Sequence, residues 1–258
     1  MNISLENRTY VVMGVANKRS IAWGIARSLS NAGARLVFTY AGERFEKGVR
    51  DLVETLDRKD SLVIPCDVTD DEQISEAFGR IKEEVGVIHG VAHCIAFARV
   101  EELKGEYMNT TRDGFLLAQN ISAYSLTAVA KEARPLMTEG GSIMTMTYLG
   151  GERVVENYNV MGVAKASLDA SVKYLASDLG KENIRVNAIS AGPIRTLAAK
   201  GVGDFNSILH EIEERAPLRR ATTTEEVGDT ALFLMSDLSR GLTGEILHID
   251  SGFHIIGR

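Results

Sequence analysis

Short apolar runs alternate with longer helical patterns along almost the whole chain, and few folds accommodate that rhythm. The apolar runs at 9–13, 35–40, 61–65, 88–93, 142–147, 185–190 and 246–249 read as strands. Between them, helical periodicity is expected near 21–32, 43–58, 70–85, 112–137, 158–181 and 224–237. Strand–helix alternation at this spacing builds repeated βαβ units, because parallel strands need a crossover and the helix supplies it. The expected architecture is therefore α/β: one domain over 1–258, a doubly wound parallel sheet of about seven strands with helices on both faces. Helix starts are legible at Ser20, which can cap a helix from Ile21, and in two capping-box patterns, Thr69 with Glu72 and Thr223 with Glu226.

Composition removes several functional classes. The chain has 258 residues, 45% hydrophobic and 25% charged, with a formal net charge of −6. These are the proportions of a soluble globular protein, and the acidic balance without a polybasic run argues against general nucleic-acid binding. Cys66 and Cys94 do not make a disulfide framework, so a reducing, cytoplasmic setting is expected. The first residues show no signal-peptide pattern, and no apolar stretch approaches the ~18 residues of a membrane span. No internal repeat or linker is seen.

The first expected strand runs into Gly14-Val15-Ala16-Asn17-Lys18-Arg19-Ser20-Ile21. A glycine here lets backbone approach a pyrophosphate, whose charge suits the amino end of the following helix. The usual glycine triplet is missing; the next glycine, Gly24, falls inside the helix, and a plain tight turn explains Gly14 about as well. Asp67, after the third strand, could take an adenine amino group or cap the next helix. Cys94-Ile95-Ala96 ends the fourth strand with small residues where a ribose could lie, and buried packing accounts for both cysteines. After the second strand, Ala41 and Gly42 offer neither a carboxylate for ribose hydroxyls nor a basic pair for a 2′-phosphate. Glu43 and Arg44 are one of each sign. NADH is expected over NADPH.

The segment 191–219 breaks the alternation. It holds Pro193, Pro217 and three glycines, and it leaves the carboxyl end of a strand, where open α/β sheets bind ligands. It reads as loop and short helices forming a substrate lid near 195–217, with a tolerated surface insertion as the alternative.

The run Tyr158-Asn159-Val160-Met161-Gly162-Val163-Ala164-Lys165 sets a tyrosine and a lysine seven residues apart at the head of an amphipathic segment. Seven residues are close to two helical turns, so both project from nearly the same face. Met161, Ala164, Leu168, Val172, Leu175 and Leu179 form its apolar stripe. Taken singly, each is an ordinary helix-start tyrosine or surface lysine.

Together with residues 14–21, the segment Thr147-Tyr148-Leu149-Gly150-Gly151 and the run 187–196, this pair resembles the bacterial enoyl-[acyl-carrier-protein] reductases. These are divergent short-chain dehydrogenase/reductases of Rossmann type, and the likeness runs essentially from end to end. The commoner carbonyl reductases of that type space tyrosine and lysine four residues apart, a position that here holds Met161. The resemblance implies Tyr148, Tyr158 and Lys165 as catalytic residues: Tyr158 on the thioester carbonyl, Lys165 on the nicotinamide ribose, Tyr148 beside them. It implies Gly14, Ser20, Ile21, Asp67, Val68, Ile95, Lys165, Ile194 and Thr196 at the NAD site, and Ala98 at the substrate. The longer spacing agrees, because charge in a conjugate reduction develops on an oxygen two bonds farther from the hydride-accepting carbon than in a ketone reduction. Cationic Lys165 would also favour a tyrosinate-like partner. Phe97, Tyr148, Met161, Phe205 and Ile208 could form an acyl tunnel, though each alone reads as core. Acyl carrier protein is the implied partner, docking near Arg195, Lys200, Arg215, Arg219 and Arg220, and a homotetramer is the implied assembly, with the helices near 112–137 and 158–181 as its interface. A ketone or alcohol oxidoreductase and a silent nucleotide-binding scaffold are the alternatives.

Overall fold

The chain folds, in a computed structural model that describes residues 3–196 and 205–257, around strands β1 (Thr9–Met13), β2 (Arg35–Tyr40), β3 (Leu62–Pro65), β4 (Gly90–His93), β5 (Gly141–Thr147), β6 (Ile184–Ala191) and β7 (Ile246–Ile249). They form one sheet in the order β3-β2-β1-β4-β5-β6-β7, and every pairing is parallel. The strand order reverses between β1 and β4. Crevices at such reversals, above the carboxyl ends of the strands, are where this fold takes ligands.

Side-chain alternation divides each central strand between two cores. In β1, Val11 and Met13 face one side, while Tyr10 and Val12 face the other. The first side is covered by α3 (Asp71–Glu84), α5 (Ser125–Ala133) and α6 (Asn159–Leu179), through residues such as Phe78, Ile81, Leu126, Val129, Leu168 and Val172. The second is covered by α1 (Ile21–Asn31), α2 (Glu43–Val53) and α8 (Thr224–Met235), through Trp23, Ile25, Leu29, Val49 and Leu234. Each fully buried aliphatic side chain contributes roughly 1.5–3 kcal/mol, so burial on both faces fixes the sheet position of these six helices. Gly24 is explained here: a Cβ on it would come within 2.6 Å of the Thr224 carbonyl, so it lets α1 and α8 touch.

Several local expectations change. The helical stretch 112–137 is α4 (Arg112–Gln119), a π-helical turn (Asn120–Tyr124), α5 and a short 3-10 turn. Hydroxyls compete with the backbone there: Ser125 Oγ donates to the Ile121 carbonyl, and buried Ser122 both accepts from the Phe97 N–H and donates to its carbonyl. Strand β4 starts at Gly90, because the Ile88 and His89 amides donate instead to the carbonyls of Leu136 and Thr9. The segment expected as loop and short helices contains an eleven-residue helix, α7 (Phe205–Arg215), whose Leu209 and Ile212 are buried. Residues 197–204 of the expected lid, and the Phe205 side chain, lie outside the described residues.

The caps divide. Thr223 and Glu226 form the expected capping box. Helix α3 is capped by Asp70, which accepts from the Glu72 and Gln73 amides, and the Thr69 hydroxyl instead donates to Asp67. Ser20 sits at the start of α1 but turns its hydroxyl back, accepting from the Ala16 and Asn17 amides at 3.1 and 3.0 Å. A hydroxyl meets either set of amides; tertiary position selects the loop.

Candidate active site

Apart from Lys165 on the helix after β5, the expected cofactor residues follow the carboxyl ends of strands and so share one edge of the sheet. Gly14 leaves β1 at φ +92°, and a Cβ there would lie 2.1 Å from the Cys94 carbonyl oxygen beyond β4. Only glycine meets both demands, so the backbone cradle at the switch point packs directly on the end of β4. Ser20 closes the cradle through its two bonds to the loop. Ile21 opens α1, half-buried. Beyond β3, Asp67 does not cap α3; its Oδ1 accepts from the Thr69 amide and hydroxyl. Val68 beside it is buried. Ile95 is half-buried past β4, and Ile194 and Thr196 are half-buried past β6. Lys18, Arg19, Ile194, Arg195 and residues 222–225 line an adjoining cavity of about 320 Å³.

The reacting side is built by β5 and α6. Tyr148 follows β5 in extended conformation, and Tyr158 forms the N-cap position of α6. Their rings meet edge to face with centroids 4.9 Å apart, an arrangement favoured by the ring quadrupoles. A Cβ on Gly150 would fall 2.4 Å from the Tyr158 ring, so the glycine pair after Tyr148 lets the ring lie against backbone. Two turns along α6, Lys165 is 4% exposed, and its Nζ donates to the Met146 carbonyl at 2.7 Å. Burial brings the Lys165 ammonium down to about 8, opposed by Asp169 and then Cys94. Burial pushes the Tyr148 phenol up to about 12, and pushes Tyr158 well above the ordinary tyrosine range, with Tyr148 and Asp169 adding to the effect.

A half-buried neutral phenol, an aromatic partner and a buried ammonium thus stand beside a backbone cradle for an anion. The sequence model of the enoyl-(acyl carrier protein) reductases matches residues 14–254. The chain belongs to that family. It is 77% identical over 258 residues to the NADH enoyl-[acyl-carrier-protein] reductase of Bacillus subtilis, covering all of both chains. It is 62% identical over 254 residues to the NADPH enoyl-[acyl-carrier-protein] reductase of Staphylococcus aureus, covering 98% of this chain and 99% of that one. The crystal structure of the Bacillus cereus enoyl-acyl carrier protein reductase with NADP+ and indole naphthyridinone superposes with a TM-score of 0.98 at 74% identity, covering both chains fully.

In this reductase the apolar residues expected at the substrate are only partly gathered. Met161 is buried in a satellite cluster with Leu103, Ala118, Val160 and Ala164, against which Ala98 and Tyr158 pack. Phe97 is 50% exposed, its backbone held by Ser122. Ile208 is half-buried on α7 and is no member of that cluster. Lys165 gives its hydrogen bond to the Met146 carbonyl, and burial is the largest influence on the Tyr158 phenol, holding it above the ordinary tyrosine range.

Two site residues escaped sequence reasoning. Ser122 gave no signal beyond a hydroxyl within a helical pattern. Asp169 did: a carboxylate four residues after Lys165 must lie on the same helix face.

Proposed function

We propose that the protein reduces the trans-2 double bond of an enoyl thioester carried by acyl carrier protein, the last reductive step of fatty-acid elongation, with NADH supplying the hydride to the β-carbon. Tyr158 carries this reading. As negative charge develops on the thioester carbonyl oxygen, the Tyr158 hydroxyl donates a hydrogen bond to it. A preorganised donor of this kind is worth ~3 kcal/mol in the transition state. Burial supports the role by keeping the proton on the phenol. Tyr148 holds the ring edge to face, and Lys165 offers its remaining ammonium protons to the nicotinamide ribose hydroxyls. The α-carbon then takes a proton and the saturated thioester leaves. Gly14, Ser20, Ile21, Asp67, Val68, Ile95, Ile194 and Thr196 suit a dinucleotide, since they gather past the carboxyl ends of the strands about the β1–β4 switch point. Ala98 and Met161, with Phe97 and Ile208 on the approach, suit an acyl chain.

The preference for NADH rests on the residues after β2. Ala41 and Gly42 are exposed and uncharged. The Arg44 guanidinium lies over the Phe45 ring, 4.7 Å from its centroid. Glu46 is paired with Arg50. Among the described residues, this turn therefore holds no preorganised basic pair for a 2′-phosphate.

Single-domain organisation and a cytoplasmic setting accord with the one sheet and with the lack of a helix long and apolar enough to cross a membrane among the described residues. Exposed Tyr124, just before α5, and exposed Tyr174 on α6 suit a homotetramer. A lid near 195–217 would be built on α7. For carrier docking, Arg195 stands with Lys18 and Arg19 on the wall of the 320 Å³ cavity, and Lys200 lies outside the described residues. Arg215 and Arg220 are paired with Glu211 and Glu226, and Arg219 with the Glu214 carbonyl, which weakens their part in the patch.

The test is the loss of dihydronicotinamide absorbance on mixing protein with a trans-2-enoyl thioester, with NADH and NADPH in parallel. Rapid oxidation with NADH, slower oxidation with NADPH and none with simple ketones is expected. Folded protein that binds NADH yet oxidises it with no enoyl thioester would overturn the proposal.

A further inference from the structure

The chain leaves β4 through Cys94-Ile95-Ala96-Phe97-Ala98, which forms neither helix nor strand. Residues 95–98 make two hydrogen bonds to other described residues, and both go to one side chain. The Phe97 amide donates to Ser122 Oγ at 3.0 Å, and the same hydroxyl donates to the Phe97 carbonyl at 3.1 Å. A serine hydroxyl carries one proton and two lone pairs, so it meets both backbone groups of one residue at once. Ser122 is fully buried. It belongs to the π-helical turn Asn120–Tyr124, where the Ser125 amide reaches the Asn120 carbonyl. Single π turns are rare and recur at functional sites. Ser125 Oγ lies 2.8 Å from Nε2 of His93, the last residue of β4. Two serines of one helical stretch therefore hold the chain at the end of β4 and again at Phe97.

The residues on either side of Phe97 are held unequally. Ile95 packs a half-buried side chain against the first core. Ala98 packs against the satellite cluster that contains Met161 and that Tyr158 also meets. A single methyl gives the backbone little hold of its own, so the place of Ala98 depends on the bonds at Phe97.

We propose that Ser122 is a positioning residue for the enoyl thioester: it clamps the Phe97 backbone and so holds Ala98 and the exposed Phe97 ring as the wall on which the substrate lies beside Tyr158. This rests on the reading of Phe97 and Ala98 as substrate contacts. Ser122 acts through the Phe97 backbone rather than on the substrate or the cofactor.

The experiment is steady-state kinetics of the full chain with a trans-2-enoyl thioester and NADH, beside an NADH binding titration. Ser122→Ala removes both bonds. The KM for the thioester is expected to rise roughly tenfold, as for lost ground-state binding, while NADH affinity holds near wild type because Ile95 keeps its own packing. A role confined to stability would lower the folded fraction, and with it the apparent kcat, but leave KM unmoved; that outcome overturns the proposal. Ser122→Thr keeps the hydroxyl and should retain the wild-type KM. A rise equal to that of the alanine variant would assign the effect to packing and overturn it as well. Hydrogen exchange of the wild-type chain serves if Ser122→Ala folds poorly: the Phe97 amide should exchange slowly, and exchange at the rate of free backbone would remove the clamp. Ala98→Val separates the two levels. If it leaves the thioester KM unchanged, the substrate wall fails and the proposal with it. If it raises KM while Ser122→Ala does not, only the role of Ser122 fails.

Discussion

Gly14 passes over Cys94 so closely that the last turn of β1 and the end of β4 share one backbone contact: a Cβ on Gly14 would sit 2.1 Å from the Cys94 carbonyl oxygen. The residue also adopts φ +92°. Gly14→Ala therefore meets a conformational cost of ~1–3 kcal/mol and a clash with rigid backbone. The expected outcome is a lower melting temperature together with at least a tenfold loss of NADH affinity, read by calorimetry and fluorescence titration. An alanine variant that binds NADH normally would remove the loop from the cofactor site.

Tyr158→Phe deletes a hydroxyl and leaves the ring against Tyr148 and Gly150. Turnover of an enoyl thioester should drop ~100-fold, as for loss of one donor to a developing oxyanion. NADH affinity and melting temperature should hold near wild type. Steady-state kinetics beside a binding titration checks both halves, and equal losses in turnover and affinity would contradict the assignment.

Acid stability should depend on His93. The ring is fully buried between Thr145 and Ser125, whose hydroxyls lie 3.0 and 2.8 Å from its nitrogens, and burial brings it down from 6.5 to about 3. Between those values the unfolded chain binds a proton that the native chain does not. Stability is therefore lost as pH falls through that window, by up to ~1.4 kcal/mol per pH unit from this group. His93→Gln should flatten the dependence of melting temperature on pH below about 6.5 while lowering stability at neutral pH through imperfect bonding to the two hydroxyls. An acid limb as steep as wild type would assign the loss to other groups.

Ala41→Arg should shift cofactor choice. The position is exposed, follows β2 and precedes a residue without a side chain. A cation there would meet a 2′-phosphate, and the NADPH-to-NADH ratio of kcat/KM should rise by about tenfold, some 1.4 kcal/mol. Parallel rates with the two cofactors decide it; an unchanged ratio would put the adenosine ribose elsewhere.

Much of the fold was visible in local pattern. Short apolar runs marked the strands, the central ones buried on both faces, and 3.6-residue periods marked most helices, because helix periodicity follows from backbone geometry alone. The tyrosine–lysine spacing was legible for the same reason. Helix α7 falls in a segment read only as loop and short helices, because prolines and glycines flank it and its apolar face is short. The cap of α3 was misplaced by one residue, since Thr69 and Asp70 carry equally suitable oxygens and only the turn at Asp67 chooses between them.

The sequence by itself determined the alternation, the parallel sheet it implies, and which side chains share the face of α6, because these are properties of consecutive residues. Tertiary structure alone decided that Ser20 closes the Gly14 loop, that Gly24 serves a helix contact, that Lys165 turns to the Met146 carbonyl and that Asp169 lies buried beneath Gly151. Apart from the Ser20 bonds, which reach back only three and four residues, those outcomes depend on distances between segments separated along the chain. Burial then sets which groups keep their protons, and no local pattern carries that information.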